Sequence, residues 1–391
     1  MSRPRTHRSL RFDSLESREL LSGMTAPTAE QQYALSLINR ARMNPAATAE
    51  QISNGVTPDL QSTLSYYHVD LNATAQAIAS TPAKPPLAWN SDLATAAQGH
   101  SQDMVNNQYQ SHTGSDGSTA EQRMKQAGYT GASSTGENAY AYADSVDQAM
   151  QAFLIDWGVS DQGHRRNLLQ GNVSSADAYR EVGIGIASTS ASSKVGPLVI
   201  TQDFGSQASD KAQLLGIAYN DSDNSGTYGI GEGQGNVQVD ATNLSTGKTT
   251  SVQTWSAGGY QMALDPGSYQ VTSSVNGKVV KSVAVTIGTD NVEQDFLLNQ
   301  TWDGRSRDAV ISSLTTPPTP APAPVVQTTV APVVQTTAAP VVQTTAAPVT
   351  LFIPTAAKTV SIPVAKPFAT AKATSTPSFT GSWTSWTAQK A

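Results

Sequence analysis

The sequence predicts an α+β domain followed by an all-β domain and a proline-rich tail. Three observations carry this. Apolar residues recur at helical spacing in several stretches up to Trp157. The period then switches to strand-like runs at Val182 to Ile186 and Pro197 to Phe204. From about residue 212 to 299 the pattern is strands only, separated by turn residues.

Each element has a local reason. The first helix begins at Thr28, where Thr28-Ala29-Glu30-Gln31 reads as a capping box. Tyr33, Leu37, Ile38 and Ala41 follow on one face, and Asn44-Pro45 breaks the helix. Residues 51–85 read as polar and irregular. A second helix enters from Asn90 or Ser91 and carries Leu93, Ala96, Ala97, His100 and Met104 as its apolar stripe. It ends before Ser111-His112-Thr113-Gly114. A third, short helix covers roughly 118–127 and stops at Gly128. A fourth starts at Asp144-Ser145, with Gln148 completing a second capping box. Val146, Ala149, Met150, Phe153, Leu154 and Trp157 form its buried face, the clearest amphipathic pattern in the chain. Helices before and between, with strands after, imply helices packed over a small antiparallel sheet.

In the second domain, strands are expected over Leu214 to Tyr219, Asn236 to Asn243, Thr249 to Trp255, Tyr260 to Leu264, Gly267 to Ser273 and Val279 to Ile287. Asp265-Pro266 marks a turn between two of them. Beyond that, a PVVQTT unit recurs with an eight-residue step from Pro324, Pro332 and Pro340. Proline at that density prevents a sheet, so a semi-rigid stalk is expected. The resulting division is 1–27 tail, 28–210 α+β domain, 211–300 β domain, and 301–391 disordered Pro/Thr/Ala-rich stalk and tail.

Composition excludes several functions. Charged residues are 14% of the chain and the formal net charge is -6, which argues against nucleic acid as a partner. There is no cysteine, so disulfides, thiol nucleophiles and Cys-ligated zinc are ruled out. No apolar run approaches the ~20 residues of a membrane span. No G-x-S-x-G elbow is present. The Gly-x-Gly pairs at 183–185 and 229–235 lack the strand–helix context of a phosphate loop.

Two histidines and a glutamate lie on three separate segments of the first domain: QSHTG around His112, GENAY around Glu137 and GHRRNLL around His164. Each taken singly reads as a structural hydrogen-bonder. Together they suit a borderline divalent ion such as zinc. They suit metal-free proton transfer equally, the glutamate orienting a histidine. Arg165, Arg166 and Asn167 are expected in the shell around His164. His100, on the apolar stripe, reads as a satisfied core histidine.

These motifs, with EVGIG at 181–185 and ITQDFG ending at Gly205, resemble the CAP superfamily (cysteine-rich secretory, antigen 5, pathogenesis-related-1) in its bacterial SCP-like form. The resemblance implies an α-β-α sandwich. It also implies a cleft of two histidines and two acids, of which His112, Glu137 and His164 match three, as metal ligands or catalytic groups. The fourth position departs. Animal and plant members carry a glutamate three residues after the helix tryptophan, whereas Ser160 stands there after Trp157, with Asp161 adjacent and Asp156 one turn back.

The stretch from Gly259 to Val271 is similar to Cna-B and SdrD-B surface domains, which implies an immunoglobulin-like sandwich. Asp221, Asp223, Ser225, Gly226, Thr227 and Glu232 follow the spacing of a calcium loop, with oxygens at positions 1, 3, 5, 7 and 12. The plain alternative is a polar loop between strands. At the N-terminus, RFDSLESRELLSG resembles the LEPR-XLL segment of surface and secreted proteins of planctomycete-like bacteria, and read by composition alone it is a polar tail.

The chain is therefore expected outside the cell or on its surface. Its partner would be an extracellular small molecule, lipid or surface polymer. Three functions remain open: a cleft that binds a divalent metal or ligand, a metal-assisted hydrolase of peptides or cell-wall material, and an adhesive protein with a vestigial cleft.

Overall fold

Thr28 caps the first helix as the sequence suggests: its hydroxyl accepts from Gln31 N, and the Gln31 side chain answers at the Thr28 backbone. The computed structural model describes residues 25–174, 177–190 and 192–315. The N-terminal segment that resembles LEPR-XLL, the repeats from Pro324 and the tail bearing Phe352, Trp383 and Trp386 lie outside these residues.

The first module begins with α1 (Ala29–Met43), α2 (Pro45–Asn54), α3 (Pro58–Tyr66) and α4 (Leu71–Ala79). The stretch expected to be irregular thus holds the end of α2 and all of α3 and α4. Asn44-Pro45 both ends α1 and starts α2: Asn44 Oδ1 accepts Ala47 N, and proline takes the first turn, where its missing N–H costs nothing. Thr57 and Asp70 cap α3 and α4 in the same way.

There follow β1 (Ala88–Trp89), α5 (Ser91–Asn107), α6 (Ala120–Ala127), β2 (Ala132–Ala143), α7 (Val146–Ile155), α8 (Gly163–Leu169), β3 (Glu181–Ser188) and β4 (Leu198–Gln207). They form one four-stranded sheet in the order β1-β3-β4-β2. The strand β2 was not anticipated. Its alternation is masked by small residues, and its identity comes from antiparallel pairing along β4. Helices α1, α7 and α8 pack over one face of the sheet around Ile38, Phe153, Leu168, Ile184 and Phe204. Helix α5 covers the other face. The EVGIG glycines explain how close it comes. A Cβ at Gly183 or Gly185 would run into the backbone of α5 at Ala94 or Ala97.

The second module is all β: β5 (Gln213–Tyr219), β6 (Gln238–Asn243), β7 (Thr249–Gln253), β8 (Gly259–Ala263), β9 (Gly267–Val275), β10 (Lys278–Ile287), β11 (Val292–Glu293) and β12 (Phe296–Leu297). One sheet runs β10-β9-β6-β7, and a second gathers β8, β11 and β12 around β5. Their facing residues share one core, including Leu214, Val239, Tyr260, Met262, Val271 and Phe296. The expected stalk begins later than residue 301. A helix, α9 (Arg307–Thr315), docks on β6 and β9, where Arg307 forms a two-pronged ion pair with the fully buried Asp240, both contacts at 2.6 Å.

The segment after β10 lies along β5. Asn291, Asp295 and Asn299 accept the backbone N–H groups of Gln213, Ile217 and Asp221 at 2.8–3.2 Å. A side chain every fourth residue therefore alternates with the backbone bonds that β11 and β12 make to β5. This same segment reaches the first module. Asn291 Nδ2 donates to Pro86 O and Arg180 O, and Arg180 donates to Thr289 O.

Candidate functional site

His112 sits in the loop after α5. That helix ends on Gln108 in the left-handed region, φ 57°. The loop is pinned back onto the helix by Asp103, which accepts from Ser115 N at 2.8 Å and from the Ser115 and Tyr109 hydroxyls at 2.5 Å. Desolvation opposes the charge of Asp103, yet the bonds from Ser115, Tyr109 and Asn107 carry it down to about 2. His100 is a second pin. Its Nε2 lies 2.7 Å from Ser111 O, one residue before His112. Its Nδ1 has no hydrogen-bond partner, so the core histidine is only half satisfied. Burial lowers its pKa, which keeps the ring neutral.

Glu137 lies in the middle of β2, the edge strand. Its Oε1 is 2.6 Å from His112 Nδ1, and its Oε2 accepts from Arg123 Nη2 at 2.6 Å. Arg123, on α6, also donates to His112 O and Ser118 O. Burial would raise the Glu137 carboxyl. The bond to His112 and the charges of His112 and Arg123 outweigh it, and Glu137 is held below the usual carboxylate range. Asp203 stands opposite Glu137 in the β2–β4 register. Neither of its carboxyl oxygens has a hydrogen-bond partner, and burial beside Glu137 raises it well above its ordinary range.

His164 opens α8. Its Nδ1 is 2.7 Å from Asp156 Oδ1, while Asp156 Oδ2 accepts from Arg165 N. Asp156 is the C-cap of α7 in the left-handed region, φ 63°. The acid that reaches the cleft is thus Asp156. Asp161 instead pairs with Arg166 on the exposed side. Asn167 donates to Glu137 O and Asn138 Oδ1, and Asn138 donates to His164 O, so α8 is tied to the edge strand.

The two imidazole centroids are 6.3 Å apart, tilted by 34°. Phe153 backs His164 at 5.2 Å. Each imidazole meets a carboxylate through Nδ1, which fixes its ring and sets Nε2 on the side away from the acid. This is the outer-shell arrangement that supports metal-ligating histidines. Both Glu137 oxygens are engaged, so the donors suited to an ion here are the two imidazoles, with Glu137 and Asp156 behind them. The structure brings His112, Glu137 and His164, read from the sequence as one cluster, close together. Sequence reading missed Arg123 and Asp203. An aspartate within the apolar ITQDFG strand was the one available signal.

In the second module, Asp221, Asp223 and Glu232 each bring one carboxylate oxygen within 4.8 Å of the others. Backbone N–H groups orient them: Ser225 and Gly226 donate to Asp221, and Ser222 and Gly229 to Glu232. Ser225 and Thr227 bond to one another in the same loop. This oxygen set fits a hard cation. Tyr228 of the loop packs on Tyr33 of α1, with centroids 6.3 Å apart.

Residues 35–204 match the model of the CAP family, the cysteine-rich secretory protein family. This segment is a CAP domain. Among solved structures, the chain is similar to an extracellular protein containing an SCP domain from Bacillus anthracis. The two are 27% identical with a TM-score of 0.25, over 39% of this chain and 44% of that one. It thus spans less than half of that protein's length. It is also similar to an outer surface protein of Borrelia burgdorferi, at 16% identity and a TM-score of 0.25, over 31% of this chain and 77% of that one. No curated protein matches the chain. No helix among the described residues is long and apolar enough to cross a membrane.

Proposed function

We propose that this chain is an extracellular or surface CAP-domain protein whose cleft holds a divalent ion, zinc by donor chemistry, between His112 and His164. Remaining positions on the ion are open to water or to an extracellular ligand. The observation that carries this reading is the pair of Nδ1–carboxylate bonds, His112 to Glu137 and His164 to Asp156. The secretory character in the family's name supports the location. The test is zinc content of the intact chain beside a His112→Ala/His164→Ala variant. One ion per chain, lost in the variant, is the expected result. A folded wild type that fails to take up added zinc sinks the reading.

The second module reads as a Cna-B/SdrD-B-like sandwich with calcium in the Asp221–Glu232 loop. Its support is the convergence of three carboxylates and the core shared by two sheets. Calcium would rigidify the loop. The expected rise in melting temperature with added calcium should vanish in Asp221→Ala.

A further inference from the structure

The seam between the CAP domain and the β module holds a small cavity of about 10 Å³, whose lining includes Gln32, Asn39, Trp89, Tyr260, Gln261 and Glu293. Its polar accounting does not close. Gln32 Oε1 and Glu293 Oε2 are buried acceptors without a hydrogen-bond partner, and Arg40 Nε is a buried donor in the same condition. Glu293 and Asp295 sit two residues apart on the segment after β10, which lies alongside β5. The Asp295 carboxylate accepts Ile217 N at 2.8 Å. From α1, Asn39 and Arg40 face Glu293; Arg40 also faces Asp295. Tyr260 of β8, whose hydroxyl donates to Gln294 O between them, feels the charge of both acids, and Tyr219 of β5 that of Asp295. One guanidinium therefore opposes two carboxyls in a place with little water.

We infer that this seam is a pH-responsive latch, which closes over a protonated Glu293–Asp295 pair and loosens when both carboxyls ionise. Two negative charges so close along one segment, in partly buried surroundings, repel each other and weaken the seam. Burial raises both acids, Asp295 to about 6 and Glu293 well above its ordinary range, with the Asp295 charge adding to the latter. The sign follows. A carboxyl whose folded pKa exceeds its unfolded value favours folding most at low pH, where it is protonated in both states. That contribution is lost as pH rises through the unfolded value and on through about 6 for Asp295.

The experiment uses the full chain and its Glu293→Gln and Asp295→Asn variants. Melting temperature and amide exchange are followed from about pH 5 to about pH 8. In the wild type, melting temperature should fall by about 5 °C or more. Protection at Trp89 and across Gly259–Ala263, corrected for base catalysis of exchange, should fall about tenfold. Each variant should flatten both profiles, because a neutral amide replaces the titrating acid. Asp295→Asn keeps an oxygen for Ile217 N, so it carries the test even where Glu293→Gln folds poorly. Wild-type and Asp295→Asn profiles that run parallel would overturn the latch. So would a melting curve that shifts with pH while protection at the seam stays constant.

Discussion

The side chain of Gln261 pairs with the backbone of Trp89 in both directions. Its Oε1 accepts Trp89 N and its Nε2 donates to Trp89 O, each at 2.9 Å. Strand β1 is the outer edge of the CAP sheet, so one amide from the β module does the work of a neighbouring strand there.

Gln261→Ala should therefore destabilise more than a half-buried glutamine ordinarily would. It leaves a buried N–H and a buried C=O without partners, a cost of about 2–4 kcal/mol. Urea denaturation of the full chain measures this as a lower midpoint. A loss below about 0.5 kcal/mol would mean that water replaces the amide without penalty.

The two cleft carboxylates should separate in their stability effects. Asp156→Asn keeps a residue that tolerates the left-handed cap. It should unfold only slightly more easily while weakening ion affinity about 10- to 100-fold, since His164 loses its charged partner. Glu137→Gln also strips the charge that Arg123 answers, and should cost about 2–4 kcal/mol. Paired melting and zinc-binding curves for the two variants check the contrast. Equal loss of stability in both would show that Arg123 finds another partner.

The CAP elements were legible where a cap and an apolar stripe coincide, as at Thr28 with Ile38 and at Ser145 with Phe153. They were illegible where each helix turn contributes a single apolar residue, as with Ile52, Leu60, Leu64 and Ile78. Strand β2 was hidden for a different reason. Ala139 and Ala141 are small, a choice set by helix α5 and the loop around Val195 packed against them, and no local propensity reveals it. At the site, the motifs located His112, Glu137 and His164. The partners were less accessible, because an arginine on a short polar helix reads as solvated until the fold turns Arg123 inward.

The ion pair between Arg307 and Asp240 should respond asymmetrically to deletion. Asp240 has no exposed surface, and the Arg307 side chain is 29% exposed. Arg307→Ala strands a buried carboxylate that Ser251 and Gln238 only partly satisfy, at a cost of about 3 kcal/mol. Asp240→Asn frees an arginine that can turn to water, and should cost less. Urea midpoints of the two variants decide the order, and the reverse ranking would place the burial penalty on the guanidinium.

Asn291 lies 205 residues after Pro86, whose carbonyl it satisfies. At ribosomal speeds of about 5–20 residues per second, that gap lasts on the order of 10–40 s. The CAP sheet of a growing chain thus waits for its edge to be closed by residues made long after its own strands. A chain stopped short of Asn291 would leave the carbonyls of Pro86 and Arg180 uncovered beside β1, at a sheet edge that invites pairing with other chains.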